Sequence, residues 1–293
     1  MALTFLFSKL PVITEDPFLK YRPFPENPSN EIVKHWHEIA VSFVFYCLVQ
    51  LLSKPVFTVI MGSKYTKLSR GTKVNFDVHV TSMVQCFISI ALLIPHLNNP
   101  HLANRHADPV NSLLGKTDFG GLACALTVGY FIWDIYVCVR YFSLFGVGFL
   151  FHGIAAMYAF LSGLFPYGQP WAGAFLAFEF STPFVNLNWF ASKLPAGTFS
   201  DKFVIINGLL LMATFFVVRI LWGFYAVYQF ALDIRYSLDI VSKALPYTLL
   251  GLNFLLDCLN VFWFYKMVMI AKKKAGGSKS TRQASVDVGK KVE

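Results

Sequence analysis

Three observations predict an all-α, multi-pass membrane protein with about seven transmembrane helices. Hydrophobic residues make up 56% of the 293-residue chain and charged residues only 14%, against about 25% charge in an ordinary soluble domain. Predominantly apolar stretches recur at roughly 36–61, 76–96, 119–141, 144–165, 171–190, 203–230 and 244–270, each near the length needed to cross the hydrocarbon core. The net charge of +9 is concentrated in two places. Lys64, Lys67, Arg70 and Lys73 lie in the first loop, and eight basic against two acidic residues lie from Lys266 to Glu293. That distribution is a topology signal and excludes a nucleic-acid-binding face.

Residues 1–35 form the lead-in, where an apolar stretch from Leu3 to Val12 is interrupted by Lys9 and Pro11 and followed by Pro17, Pro23, Pro25 and Pro28. It lacks the basic start and unbroken apolar centre of a cleavable signal, so an irregular or interfacial lumenal segment is expected. Residues 36–66 hold the first helix, which serves as the insertion signal, and the start of the basic loop. Between the fourth and fifth stretches stand only Pro166, Tyr167, Gly168, Gln169 and Pro170, so a re-entrant pair with six crossings is the alternative. Charge decides between the counts, because short cytosolic loops carry the Lys/Arg excess. Seven crossings put the basic loop and the basic C-terminus on one side, together with Arg140, Lys193 and Lys202; six put them on opposite sides. Seven crossings with a lumenal N-terminus and a cytosolic C-terminus are therefore expected.

Residues 273–293 are rich in Lys, Gly and Ser and read as a disordered basic cytosolic tail. The tail ends Lys290, Lys291, Val292, Glu293, a pattern similar to the dilysine signal that coat proteins read to return membrane proteins to the endoplasmic reticulum. Cys47, Cys86, Cys124, Cys138 and Cys258 all fall in apolar runs without close pairing and read as small buried hydrophobes. No HExxH spacing is present, so no metal site is predicted. His35, His37, His79, His96, His101 and His106 read as interfacial or solvated.

Ionisable side chains at bilayer depth cost about 2.5 kcal/mol or more and normally face a bundle interior or a wet cavity. Asp134, His152, Glu179 and Asp257 fall on four different predicted helices, roughly 9, 12, 16 and 20 Å from the cytosolic boundary at 1.5 Å per residue. Asn253, Asp257 and Asn260 share one helical face by their spacing, which should point inward. On the fifth helix Glu179, Ser181, Thr182, Asn186 and Asn188 surround Pro183, which favours a kink. Arg219, nearer the lumenal end, could snorkel or pair with an acid, and Asn207, Asn253, Asn260 and Arg219 read equally well as interhelical glue. Asp134, His152 and Glu179 read as a proton-transfer group or a polar lipid-headgroup site.

Three runs, GYFIWD from Gly129 to Asp134, FHGIAAMY from Phe151 to Tyr158 and EFSTPFVNLNWF from Glu179 to Phe190, resemble the TLC-domain family of membrane proteins, which includes the ceramide synthases. The resemblance covers residues 67–272 and extends to Ile206, Asn207 and Gly208 and to Asp257, Asn260 and Trp263. It implies a ring of membrane helices around a lipid-accepting cavity, residence in the endoplasmic reticulum, and a role in lipid synthesis, sensing or trafficking. In ceramide synthases an adjacent pair of histidines supports transfer of a fatty acyl group from acyl-coenzyme A. Here His152 matches the first of the pair and Gly153 stands at the second.

The first expectation is therefore a protein that binds or handles lipid and contributes to membrane lipid homeostasis, with Asp134, His152, Glu179, Ser181, Thr182, Asn186 and Asp257 lining the polar end of the cavity. Membrane lipids and dilysine-binding coat proteins are the expected partners, and no cofactor is expected. The second is an acyl-coenzyme-A-dependent lipid N-acyltransferase with His152 as base or acyl acceptor and Asp134 or Glu179 orienting it; the coenzyme would be a co-substrate. The third is a structural scaffold whose buried polar groups only fix helix register.

Overall fold

Helices form where the apolar stretches stand, in a computed structural model that describes the backbone of residues 11–165 and 167–289 and the side chains of those through Lys273. The long helices are α1 (Glu31–Met61), α2 (Arg70–His96), α3 (Asp118–Arg140) and α4 (Phe142–Leu164). They are followed by α5 (Ala172–Leu176), a 3-10 segment (Ala177–Ser181), α6 (Thr182–Lys193), α7 (Asp201–Phe215), a π-helical segment (Phe216–Leu221), α8 (Trp222–Ile234) and α9 (Ala244–Gly289). No strand occurs among the described residues. Helix starts follow local chemistry: the side chains of Asn30, Ser69, Thr117 and Ser200 each accept a hydrogen bond from a first-turn N–H, satisfying a donor that the helix itself leaves open.

Six helices are long and apolar enough to cross a membrane, with Asp201–Ile234 counted as one. The fifth predicted stretch is helical too, but in short pieces. Its course is nevertheless end to end. The ring of His96 lies against Gly173 and His79 bonds Asn186, so α5 and α6 run antiparallel to α2. Trp222 bonds the Ala174 carbonyl and Asn207 that of Phe184, so α7 and α8 run antiparallel to α5 and α6. α1 runs parallel to α3, as the contacts Ser42 to Leu126 and Gln50 to Trp133 require. Direction thus alternates over seven passes, and the loop at Lys64 and Lys67, Arg140, Lys193 and the basic stretch of α9 share one end of the bundle.

Six of the passes close a ring in the order α2, α3, α4, α9, α7 with α8, and α5 with α6. The departure from a seven-membered ring is α1, which packs outside against α2 and α3. That seam is polar and close. Tyr46 donates to Gln85, Ser53 to Asp77 at 2.7 Å and Ser42 to the Leu126 carbonyl at 2.6 Å. A Cβ at Gly129 would stand 2.6 Å from the backbone oxygen of Ile39, and backbone cannot swing aside. Gly129→Ala should therefore force α1 from α3 and cost about 1–3 kcal/mol, read as a lowered unfolding temperature of the detergent-solubilised protein.

Large apolar side chains cover the outside, among them Val59 at 84% exposure, Val147 at 73% and Leu51 at 69%, which is the surface expected of helices that meet lipid. Cys86, Cys124 and Cys138 are buried as expected, Cys47 is partly covered, and Cys258 is exposed on that outer surface. The lead-in from residue 11 is irregular apart from a 3-10 turn at Leu19–Tyr21. It folds back on the bundle: Arg22 donates to the Pro25 and Lys34 carbonyls, Trp36 to the Phe24 carbonyl, and Phe119 N–H to the Thr14 carbonyl. Residues 1–10 lie outside the described residues, as do Lys290 and Lys291 of the dilysine pattern. The backbone of α9 stays helical to Gly289, where an irregular tail is expected from composition; its Lys, Ala, Arg and Gln residues are good helix formers.

Candidate functional site

Inside the ring lies a cleft-like cavity whose free space, the part open to the outside included, is about 600 Å³. All six passes contribute to its wall. Apolar lining comes from Phe131, Phe160, Phe175, Leu176 and Phe178, and polar lining from Gln85, Ser89, Thr127, His152, Glu179, Arg219, Asn253 and Asn260. The result is a pocket in which phenylalanine rings alternate with convergent polar groups.

Two local irregularities aim the charged pair. Pro183 lacks an N–H and its ring clashes with the carbonyl four residues earlier, which is that of Glu179. The backbone responds with the 3-10 segment Ala177–Ser181, and a regular helix resumes only at Thr182. This irregularity falls where Pro183 is expected to kink the helix; the Thr182 N–H donates to the Glu179 carbonyl, and Ser181 Oγ to the Phe178 carbonyl at 3.0 Å. Opposite, Arg219 sits in the π-helical segment, a helix irregularity that recurs at functional sites. Its Nε donates to Ser181 Oγ at 2.8 Å and a terminal nitrogen to Thr182 Oγ1 at 3.2 Å, while its plane lies over the Phe215 ring.

Arg219 is 7% exposed and neither snorkels nor forms an ion pair among the described residues. It lines the same chamber as Glu179 without a direct contact. Glu179 lines the chamber and accepts no hydrogen bond from the described residues.

The expected site residues thus divide. His152 and Glu179 line the cavity. Ser181 and Thr182 stand behind it and hold Arg219 from the neighbouring pass. Asn186 lies further along α6, bonded to His79 Nδ1 at 2.7 Å and Ser82 Oγ at 3.3 Å. Asp257 is buried at 2% exposure beside Gly223, in the contact between α9 and α8, although Asn253 and Asn260 on the same helix do reach the chamber. Asp134 faces α4, where a Cβ on Gly153 would stand 2.7 Å from its Oδ2. The space left by that glycine is therefore filled by a carboxylate.

No acid comes within hydrogen-bond reach of His152 among the described residues. Its ring is held edge-on by Phe131 and Trp263, with centroids 6.1 and 5.6 Å away. The orienting carboxylate that general-base chemistry calls for is thus not provided by Asp134 or Glu179. Other histidines depart from expectation. His35, His37 and His96 are buried where the lead-in, loops and neighbouring passes cover helix ends, and His79, inside α2, stacks on Trp189 of the neighbouring pass at 4.3 Å.

Sequence reasoning left Gln85, Ser89, Thr127 and Arg219 out of the site. An arginine near the middle of a 34-residue apolar pass is the signal that could have found Arg219, since an unpaired guanidinium cannot face hydrocarbon. Gln85, Ser89 and Thr127 carry no comparable signal, being uncharged.

Comparison with known proteins agrees with the ring. The TLC domain family matches residues 75–269, which starts within α2 and leaves out the outer helix α1. Topoisomerase I damage affected protein 4 of Saccharomyces cerevisiae is 40% identical over 265 residues, covering 88% of this chain and 92% of that protein. An uncharacterized TLC domain-containing protein of Schizosaccharomyces pombe is 36% identical over 257 residues, covering 88% and 86%. TLC domain-containing protein 4 of Homo sapiens is 32% identical over 174 residues, covering 55% and 61%. No solved structure matches. With two thirds of its length in one family match and these relatives along most of its span, the chain belongs to the TLC-domain family.

Proposed function

We propose that the chain binds a single amphiphilic lipid in the ring cavity, with the headgroup against Arg219 and Glu179 and the alkyl chain against Phe131, Phe160 and Phe175. It handles this lipid in the endoplasmic-reticulum membrane as part of lipid homeostasis. The observation that carries the reading is a chamber whose two charged groups are of opposite sign, do not touch each other, and share the wall with phenylalanines and uncharged polar side chains. Binding is favoured over acyl transfer because His152 is gripped by aromatic rings and has no acid beside it. The reticulum and the cytosolic C-terminus are supported by Lys290 and Lys291 and by the basic loops gathered at one end of the bundle. Coat-protein recognition of that dilysine is part of the same proposal.

Protein purified in mild detergent should retain lipid detectable by mass spectrometry after extraction. In Glu179→Leu the cationic side of recognition is lost, so retained lipid should fall severalfold and what remains should shift toward anionic species. Wild-type protein that carries no more lipid than its detergent micelle would refute the reading. Conversion of added long-chain acyl-coenzyme A and amine lipids into an amide product, lost in His152→Ala, would favour the acyltransferase instead.

A further inference from the structure

Away from the lipid chamber, where α1 and α3 begin, a second group of titratable side chains is packed beneath the lead-in. His35 is fully buried, Glu38 is 4% exposed, and the Asp16 side chain is fully covered. His35 Nδ1 lies 2.7 Å from Glu38 Oε2 and 3.4 Å from Asp16 Oδ2, and one ligand atom from each residue falls within 4.8 Å of the others. The shorter of these contacts, between His35 Nδ1 and Glu38 Oε2, is a hydrogen bond. Asp16 Oδ2 and Glu38 Oε1, both carried by carboxylates of this cluster, are left buried with no hydrogen-bond partner.

We infer that Asp16, His35 and Glu38 form a binding site for a divalent transition-metal ion of the zinc class. The donor set of one imidazole nitrogen and two carboxylate oxygens suits such an ion. Ligand atoms about 2.0–2.1 Å from a tetrahedral centre stand roughly 3.3 Å from one another. The separation of His35 Nδ1 from Asp16 Oδ2 already has that value. The contact of His35 with Glu38 is the hydrogen bond that an ion would replace, opening by roughly half an ångström.

The surroundings fit as well. When Nδ1 binds metal the ring proton moves to Nε2, and Glu31 Oε2 stands 3.7 Å from that nitrogen. Glu31 is itself held by Lys116 Nζ at 2.6 Å, so a carboxylate stands on that side of the ring, beyond hydrogen-bond range of a nitrogen that has no partner, where metal-binding imidazoles commonly find one. His37 Nε2 lies 3.5 Å from Glu38 Oε1 and 3.3 Å from the Phe18 carbonyl, at the edge of the cluster. The sequence hides this arrangement, because Asp16 is distant along the chain and His35 and Glu38 alone match no ligand motif.

The test uses full-length, tag-free protein in detergent, stripped with chelator and titrated with zinc against a competing metal indicator, with bound metal counted by mass spectrometry. Wild type should take up one zinc ion per chain and gain thermal stability on doing so. Glu38→Gln and Asp16→Asn, which keep shape and size, should each weaken uptake roughly tenfold or more and lose the zinc-dependent stabilisation while eluting as monodisperse protein. His35→Ala should abolish it. Zinc uptake equal in wild type and in the Asp16→Asn, Glu38→Gln double variant would overturn the site, as would wild type that takes up none. Neither result bears on the lipid chamber, whose lining residues are unchanged in these variants.

Discussion

Asp233→Ala is expected to destabilise the folded protein by roughly 3–5 kcal/mol, the usual cost of removing one partner from a buried ion pair. Asp233, 4% exposed, accepts from Arg105 Nε at 3.0 Å, from a terminal Arg105 nitrogen at 2.8 Å and from Ser112 Oγ at 2.7 Å. Arg105 also donates to the Gln229 side chain and carbonyl and lies over the Trp171 ring. The pair ties the connection between α2 and α3 to the end of α8, beside the Tyr167 to Ser237 hydrogen bond. With the carboxylate gone, a guanidinium remains under Trp171 with half its donors unmet. Replacing both partners, as in Arg105→Met with Asp233→Leu, should cost much less than either single change, because no orphan charge is left. Unfolding of the four proteins in one detergent, followed by intrinsic tryptophan fluorescence, gives the full cycle. Single variants as stable as wild type would show that the contact contributes little.

Arg219→Leu is expected to reduce lipid retention roughly ten- to a hundredfold, since a hydrogen bond to a charged group is worth about 1.5–3 kcal/mol. The fold should survive. Ser181 keeps its bond to the Phe178 carbonyl, and the leucine can pack against Phe215 and Phe178, which the guanidinium now covers. Because Glu179 remains, residual lipid should shift toward headgroups without net negative charge, opposite to the shift in Glu179→Leu. Arg219→Lys keeps the charge but not the planar fork that reaches Ser181 and Thr182 together, and should fall between the two. A well-folded Arg219→Leu protein with an unaltered lipid profile would remove the guanidinium from headgroup recognition.

Much of the architecture could be read before any coordinates. Apolar runs broken by Gly, Pro and polar loops define the passes because a span must satisfy its own backbone hydrogen bonds in lipid, and Pro183 marks its own kink. His152 and Glu179 were legible as cavity residues because titratable groups at that depth have few other places to go. The same logic overreached at Asp134 and Asp257, which are equally deep but lie in helix contacts, one filling the space beside Gly153 and the other beside Gly223.

What the sequence determined by itself is the helical class, the approximate spans, the family and the depth of each ionisable group, all of which follow from composition and from positions along single helices. Only the tertiary structure decided that α1 stands outside the ring, that Arg219 and Glu179 line one chamber, that His152 has aromatic neighbours in place of an acid, and that Asp16 meets His35 and Glu38. Each of these depends on the rotation of one helix against another or on a loop folding back. Helix period constrains which residues share a face, but the partner of that face is set by packing among passes far apart in the chain.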